Sequence, residues 1–145
     1  MLDTSTYLFF VLFLIETIWD LFFRKDTIHC ITTLTTGLRR LKVVVLIIVH
    51  HLLSTFLTFG WIMNSKIIII LYLCSIFIVF GSWQITNGLC WMTVLQNNMC
   101  GYNKKKPFNH LLQLMKIDET QSNKKYYYGI IIIGIIVSFF KLIVY

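Results

Sequence analysis

Three ionisable side chains lie inside apolar stretches of this sequence, where proton chemistry is the first activity that they could support. Glu16 lies within an apolar run at residues 4–23, and His50 and His51 lie near the centre of a second run at residues 43–63. Titratable groups are costly in hydrocarbon, so they normally face a partner or a water-filled cavity. Because histidine exchanges protons near neutral pH, a carboxylate paired with an imidazole can hold or relay a proton.

Further polar groups share the helical faces of these residues. Asp20 follows Glu16 by one helical turn, and Ser54 and Thr58 follow His50 at intervals of four residues. Such spacing places side chains on one stripe of a helix, which turns inward when the opposite face is apolar. The predicted buried polar set, and candidate proton path, is therefore Glu16, Asp20, His50, His51, Ser54 and Thr58.

The depth of these groups is predicted by counting residues. Glu16 is seven residues from position 23 and His50 is seven residues from position 43, so both lie about 10 Å inside the same membrane boundary. A Glu16–His50 or Glu16–His51 pair would offset much of the cost of burying each group. Two interpretations remain open: the pair fixes helix packing and register, or it belongs to a proton or ion path.

Composition assigns the chain to the membrane class. The 145 residues are 57% hydrophobic and 13% charged, with a mean hydropathy of +0.75, which is too apolar for a soluble domain. The net charge of +7 comes from Lys and Arg beside apolar runs, where they act as orientation signals. A nucleic-acid partner is not expected, because such a partner needs a large polar face.

Four apolar stretches predict one integral domain, residues 1–145, with spans at 4–23, 43–63, 67–87 and 126–145. Of thirteen Lys and Arg residues, five lie in residues 24–42 and six in residues 102–125. Four crossings place these two connections on one side, which the positive-inside rule assigns to the cytoplasm. The predicted fold is an all-α four-transmembrane-helix bundle with both termini on the non-cytoplasmic side, in a host, virion or organelle membrane.

The third span continues into polar sequence without a turn signal until Gly101. As a continuous helix it would be longer than the bilayer core, so it either projects beyond the membrane or breaks near Gly81 or Gly88. If it is continuous, one narrow face forms a candidate docking surface that contacts another part of the bundle or a partner subunit. Its residues are Trp83, Asn87, Cys90 and Asn97.

The last connection and the last span carry three further predictions. Residues 109–117 favour a short amphipathic surface helix, and Lys104, Lys105 and Lys106 suit anionic lipid headgroups. Gly134 and Ser138 form a small-x-x-x-small pair that permits close helix packing. Lys141 is expected to extend outward to the interface.

Residues 50–101, about a third of the chain, carry the patterns H-H-x8-G-W and W-x3-N-x2-C-x2-T-x3-N-x2-C-G. They resemble small uncharacterised multipass membrane proteins of large DNA viruses and some algae. They are also similar to bacterial small membrane proteins with a Cys-Pro-Leu-Thr segment, although Trp91 and Met92 replace Pro-Leu here. The resemblance implies an origin and no activity. Its residues are His50, His51, Gly60, Trp61, Trp83, Asn87, Cys90, Thr93, Asn97, Cys100 and Gly101.

The leading functional hypothesis is a non-enzymatic structural or assembly subunit of a viral or organellar membrane, and the alternative is a proton or cation channel or transporter. A redox enzyme would use Cys90 and Cys100. In a continuous helix these cysteines lie about 15 Å apart, and the cytoplasmic side is reducing, which argues against it. The sequence shows no metal-ligand spacing and no catalytic set, so neither metal nor cofactor is expected.

Overall fold

The computed structural model describes residues 4–86, 90–102 and 121–144, with side chains from residue 128 onward in the last range. Within these ranges every regular element is helical. The elements are α1 (Thr4–Phe23), α2 (Lys25–Thr33), α3 (Gly37–Phe59) with a 3-10 turn (Gly60–Ile62), α4 (Lys66–Ile85), α5 (Trp91–Met99) and α6 (Gln121–Val144).

Three helices are long and apolar enough to cross a membrane. α1 and α4 each have 20 residues and extend about 30 Å, and α3 with its 3-10 turn has 26 residues and extends about 39 Å. This confirms the predicted helical fold and is compatible with the predicted α-helical membrane protein. The apolar part of α6, Tyr128–Val144, is shorter.

α3 is the central helix of the bundle, because each of the other described helices packs against it. Its first half carries Val43 and Ile47, which pack against Cys30 of α2. Its second half contributes Leu57 to a larger core that α4 and α6 complete. The remaining members of that core are Ile69, Tyr72, Leu73, Ile76, Val79 and Ile131.

α3 begins six residues before the predicted span, because Thr36 caps it. The Thr36 hydroxyl accepts a hydrogen bond from the backbone N–H of Arg39 at 3.4 Å, which satisfies one of the free donors of the first turn. The first turns of α3 carry the exposed Arg39, Arg40 and Lys42. These turns therefore extend beyond the apolar stretch that predicted a start at residue 43.

The third apolar stretch is broken, which selects one of the two predicted alternatives. α4 ends at Ile85, and α5 begins at Trp91 after Cys90, whose backbone is extended (φ −64°, ψ 138°). A helix cannot continue through extended backbone. The predicted stripe of one continuous helix is therefore wrong: Trp83 belongs to α4, whereas Asn97 belongs to α5.

α6 fits closely between α3 and α4. A Cβ atom at Gly134 would lie 2.7 Å from Cδ1 of Trp61 and would also collide with the Tyr72 hydroxyl. Ser138, one turn later, is fully buried. The small residues thus permit the close approach that their spacing predicts.

Lys141 of α6 is half-buried and reaches the turn between α3 and α4. Its Nζ donates to the backbone carbonyls of Trp61, Ile62 and Met63 at 3.1–3.2 Å and to Oδ1 of Asn64 at 3.2 Å. The ends of α-helices leave carbonyls without intrahelical partners. These carbonyls therefore hold the ammonium group at this end of the bundle.

Candidate functional site

A cluster of charged and polar side chains is buried where α1, α2 and α3 meet. α1 contributes Glu16 and Asp20, and α3 contributes His51; their exposed fractions are 3%, 1% and 0%. The one-turn spacing of the two carboxylates places both toward α3. The structure thus brings together one predicted histidine and both predicted carboxylates.

His51 lies between the two carboxylates. Its Nε2 is 3.1 Å from Oδ2 of Asp20, which is hydrogen-bond distance, and its Nδ1 is 3.8 Å from Oε2 of Glu16, which is ion-pair distance. A protonated imidazole carries a donor on each nitrogen. It can therefore serve both carboxylates at once.

Asp20 has two further partners on its other oxygen. The hydroxyl of Thr27, in α2, donates to Oδ1 at 2.8 Å, and Nη1 of Arg24 lies 3.5 Å from the same atom. The Arg24 side chain is 18% exposed, so this end of the cluster is the one nearest to water. α2 therefore contacts the site directly.

Glu16 is held by Thr55, one turn after His51 on α3. The Thr55 hydroxyl lies 2.9 Å from Oε2 of Glu16 and 2.8 Å from the backbone carbonyl of His51. Because a hydroxyl has one hydrogen, it donates to one of these acceptors at a time. The hydroxyl can therefore move its hydrogen from the Glu16 carboxylate to the His51 carbonyl without any helix movement.

The cluster can reach charge neutrality with one proton on His51. Two negative carboxylates then face two positive groups, the imidazolium and the guanidinium of Arg24. A buried set of charges is tolerated when each is paired and hydrogen-bonded. Removal of that proton leaves one uncompensated negative charge.

Among the other predicted residues of the polar stripe, His50 interacts electrostatically with His51, Asp20 and Arg24. His50 is buried, but His51 is the histidine whose ring nitrogens lie within 3.8 Å of the carboxylates. The hydroxyl of Thr58 donates to the backbone carbonyl of Ser54 at 2.9 Å. Such bonds within one helix satisfy the hydroxyl locally. The contact between Thr58 and Ser54 therefore does not extend the cluster.

The predicted docking residues are dispersed by the break after α4. Trp83 packs against Phe80 and against Tyr128 of α6, with ring centroids 4.9 Å and 6.0 Å away. Cys90 and Asn97 are half-buried at the start of α5 and within it. Burial raises the pKa of the Cys90 thiol, although backbone N–H groups of Met92 and Thr93 partly oppose the shift. Asn87, like the lysines at 104–106 and the surface helix predicted at 109–117, lies outside the described residues.

Sequence reasoning missed two features of this end of the bundle. One is Thr27, and the other is a disulfide that joins Cys30 to Cys100, with Cα atoms 5.2 Å apart. The neighbour of Cys100 in the fold is therefore Cys30, and not Cys90. Periodicity places Thr27 and Cys30 on one face of α2, but it does not say what that face packs against.

In the part of the chain that the structure describes, no group of three or more His, Cys, Asp or Glu side chains is arranged to hold a metal ion. Comparison with protein-family models, with curated proteins and with solved structures finds no match to this chain.

Proposed function

We propose that this chain is a small multipass membrane protein that binds and transfers protons or small cations through the cluster of Glu16, Asp20 and His51. The observation that carries the proposal is the position of His51 between two buried carboxylates. Ionisable groups at membrane depth are rare, and those that occur typically mark ion and proton pathways.

The order of contacts supports a route into the bundle from one face. Arg24, partly exposed, and Thr27 touch Asp20; Asp20 touches His51; and His51 approaches Glu16. Thr55 continues the series from Glu16. Each step is short enough for hydrogen-bonded transfer after small side-chain movements.

The near-complete burial of the cluster favours gated transfer over an open pore. The exposed fractions of 0–3% leave no standing water column at His51. A proton would enter from the Arg24 side and would leave only when α1 and α3 move apart. Slow, alternating access is the behaviour expected from such a site.

We further propose that α6 is a fourth crossing. Tyr128, where its apolar part begins, contacts Phe80 and Trp83 near the end of α4, whereas Lys141 near its end binds the turn between α3 and α4. α6 therefore runs antiparallel to α4 from Tyr128 to Lys141. With four crossings, the basic connections share one face, which we assign to the cytoplasm, and both termini lie opposite.

Proton flux into liposomes tests the proposed function. We expect vesicles that contain the purified protein, a pH-sensitive dye and a potassium diffusion potential to acidify faster than protein-free vesicles. Glu16→Gln retains an acceptor for Thr55 but removes the charge, and we expect it to slow acidification by about tenfold or more. His29→Ala, at an exposed position of α2, is the matched control and should behave as wild type. Wild-type flux equal to that of empty vesicles would exclude the proposal.

The second candidate is a structural or assembly subunit of a viral or organellar membrane. It is favoured by the fact that the cluster joins three helices and is closed to solvent, as a packing lock would be. It predicts a discrete complex larger than a monomer in blue-native electrophoresis after gentle solubilisation. A free monomer as the sole species would remove its support.

A further inference from the structure

A disulfide links the two helices that cover the proposed cytoplasmic end of α3. Cys30 lies in α2, and Cys100 directly follows α5, 70 residues later in the chain. The remaining cysteines, Cys74 and Cys90, are outside disulfides. The bond is therefore one specific pairing among four cysteines.

The bond lies against the core around the first half of α3. Cys30 is 1% exposed and packs with Val43 and Ile47 of α3, and Met99 and Tyr102 lie against the same group. The Tyr102 hydroxyl also donates to the backbone carbonyl of Asp26 in α2 at 2.7 Å. Cleavage of the bond would leave α5 held by side-chain packing and this hydrogen bond.

The same helix face connects the disulfide to the charged cluster. Thr27 and Cys30 are three residues apart in α2, and both are buried. Thr27 donates to Asp20 while Cys30 bonds to Cys100. A shift of α2 after release of Cys30 would therefore change the hydrogen bond that Asp20 accepts.

We propose that Cys30 and Cys100 form a reversible thiol–disulfide latch that fastens α5 and α2 onto α3 and thereby controls access to the Asp20–His51–Glu16 cluster. Closed, the latch holds Thr27 against Asp20. Open, it frees the end of α5 and loosens α2. The conformational part of the latch does not depend on proton transfer by the cluster.

The chemistry of the latch is thiol–disulfide exchange with a thiol such as glutathione. Cys100 is half-buried and Cys30 is not exposed, so an external thiolate reaches Sγ of Cys100 and expels the Cys30 thiolate, which takes up a proton. A second external thiol then attacks the mixed disulfide on Cys100. This step releases Cys100 as a thiol and joins the two external thiols in a disulfide. Two electrons pass from two external thiols to the protein, and an external disulfide reverses both steps.

The proposed location of Cys30 and Cys100 beside the cytoplasm favours a reversible disulfide over a permanent one. Eleven of the thirteen Lys and Arg residues lie in residues 24–42 and 102–125, which places Cys30 and Cys100 beside the cytoplasmic face under the proposed topology. Disulfides on that side are usually transient or redox-sensing. The burial of Cys30 slows reduction of the disulfide, but the half-buried Cys100 still offers its sulfur to an external thiol.

The test combines thiol counting with hydrogen exchange. Membranes that contain Cys74→Ser/Cys90→Ser protein are equilibrated in glutathione buffers of graded potential, trapped with N-ethylmaleimide, then reduced and labelled with a maleimide–polyethylene glycol. We expect two labels to appear or disappear together within the glutathione range. On reduction, the amides of α5 should exchange at least about tenfold faster, with α4 unchanged.

Cys30→Ser and Cys100→Ser, each in the same background, should show the fast α5 exchange in every buffer. Three outcomes would overturn the latch: no disulfide in oxidised glutathione, a bond that survives fully reduced glutathione, or α5 exchange that is equal in the two states. These readouts do not include proton flux. A wild-type protein that shows no flux in liposomes would therefore exclude the proposed function without affecting the test of the latch.

Discussion

Asp20 and His51 are 31 residues apart in the chain, and their Oδ2 and Nε2 atoms lie 3.1 Å apart inside the bundle. The contact joins α1 to the central helix at a depth where water cannot replace either partner. In such surroundings a charge that loses its partner is far more costly than the pair itself. The same contact thus contributes both to stability and to the proposed proton binding.

Replacement of His51 is expected to be strongly destabilising. His51→Ala leaves Asp20 and Glu16 buried without their shared cation, so we expect a loss of about 3–5 kcal/mol in the free energy of unfolding. Unfolding by SDS in mixed micelles, followed by tryptophan fluorescence, measures the loss. The exposed histidine of α2 provides the matched control, and His29→Ala should unfold as wild type does. Equal stability of the two variants would contradict the charge-pairing account.

A methyl group at Gly134 should push α6 away from its neighbours. The new Cβ would lie 2.7 Å from Trp61 Cδ1 and would meet the hydroxyl of Tyr72, so we expect Gly134→Ala to cost about 1–3 kcal/mol. Gly129→Ala, on the same helix, has no heavy atom within 4 Å of its Cβ. It should be neutral or slightly stabilising, since alanine favours helix. Thermal stability in detergent compares the two, and an inverted order would exclude this packing of α6.

Removal of the ammonium group of Lys141 should weaken the end of α3. Lys141→Met keeps the length of the side chain but leaves three backbone carbonyls without this donor. We expect a loss of about 1–3 kcal/mol, with faster amide exchange in residues 60–66. Lys66→Met removes an exposed lysine at the same end of the bundle and should have little effect. Similar exchange in both variants would mean that the carbonyl contacts are not made.

The thiol of Cys90 should react slowly with alkylating reagents. Burial raises its pKa, and the thiolate is the reactive form. In Cys74→Ser protein under non-reducing conditions, we expect the rate of reaction with iodoacetamide to continue rising above pH 9. The same protein denatured in SDS, where the thiol is exposed, should reach its plateau at lower pH. Coincident pH profiles for the native and denatured protein would rule out the shift.

Much of the helical architecture is predictable because apolar runs of bilayer length have few alternatives. The runs around Glu16 and His51 predicted α1 and α3, and residue counting placed a carboxylate and an imidazole at a shared level. The choice between His50 and His51 was not predictable. Consecutive residues point about 100° apart on a helix, and the rotation of α3 depends on packing against five other helices.

Contacts made by the short helices were beyond sequence reasoning. α2 has nine residues, and a helix of that length is stabilised by what it packs against. The pairing of Cys30 with Cys100 and the bond from Thr27 to Asp20 both depend on that packing. The break after α4 was predicted only as one of two alternatives, and its position only approximately: Gly81 lies inside α4, and the helix ends between Ile85 and the extended Cys90.

The carbonyl contacts of Lys141 impose an order on biosynthesis. The ribosome makes Trp61 80 residues before the lysine that binds its carbonyl oxygen. Until α6 packs against the hairpin of α3 and α4, the carbonyl oxygens at the tip of that hairpin lack the lysine donor. A nascent chain in which α6 has not yet docked therefore carries polar atoms at this tip that the folded protein pairs with Lys141.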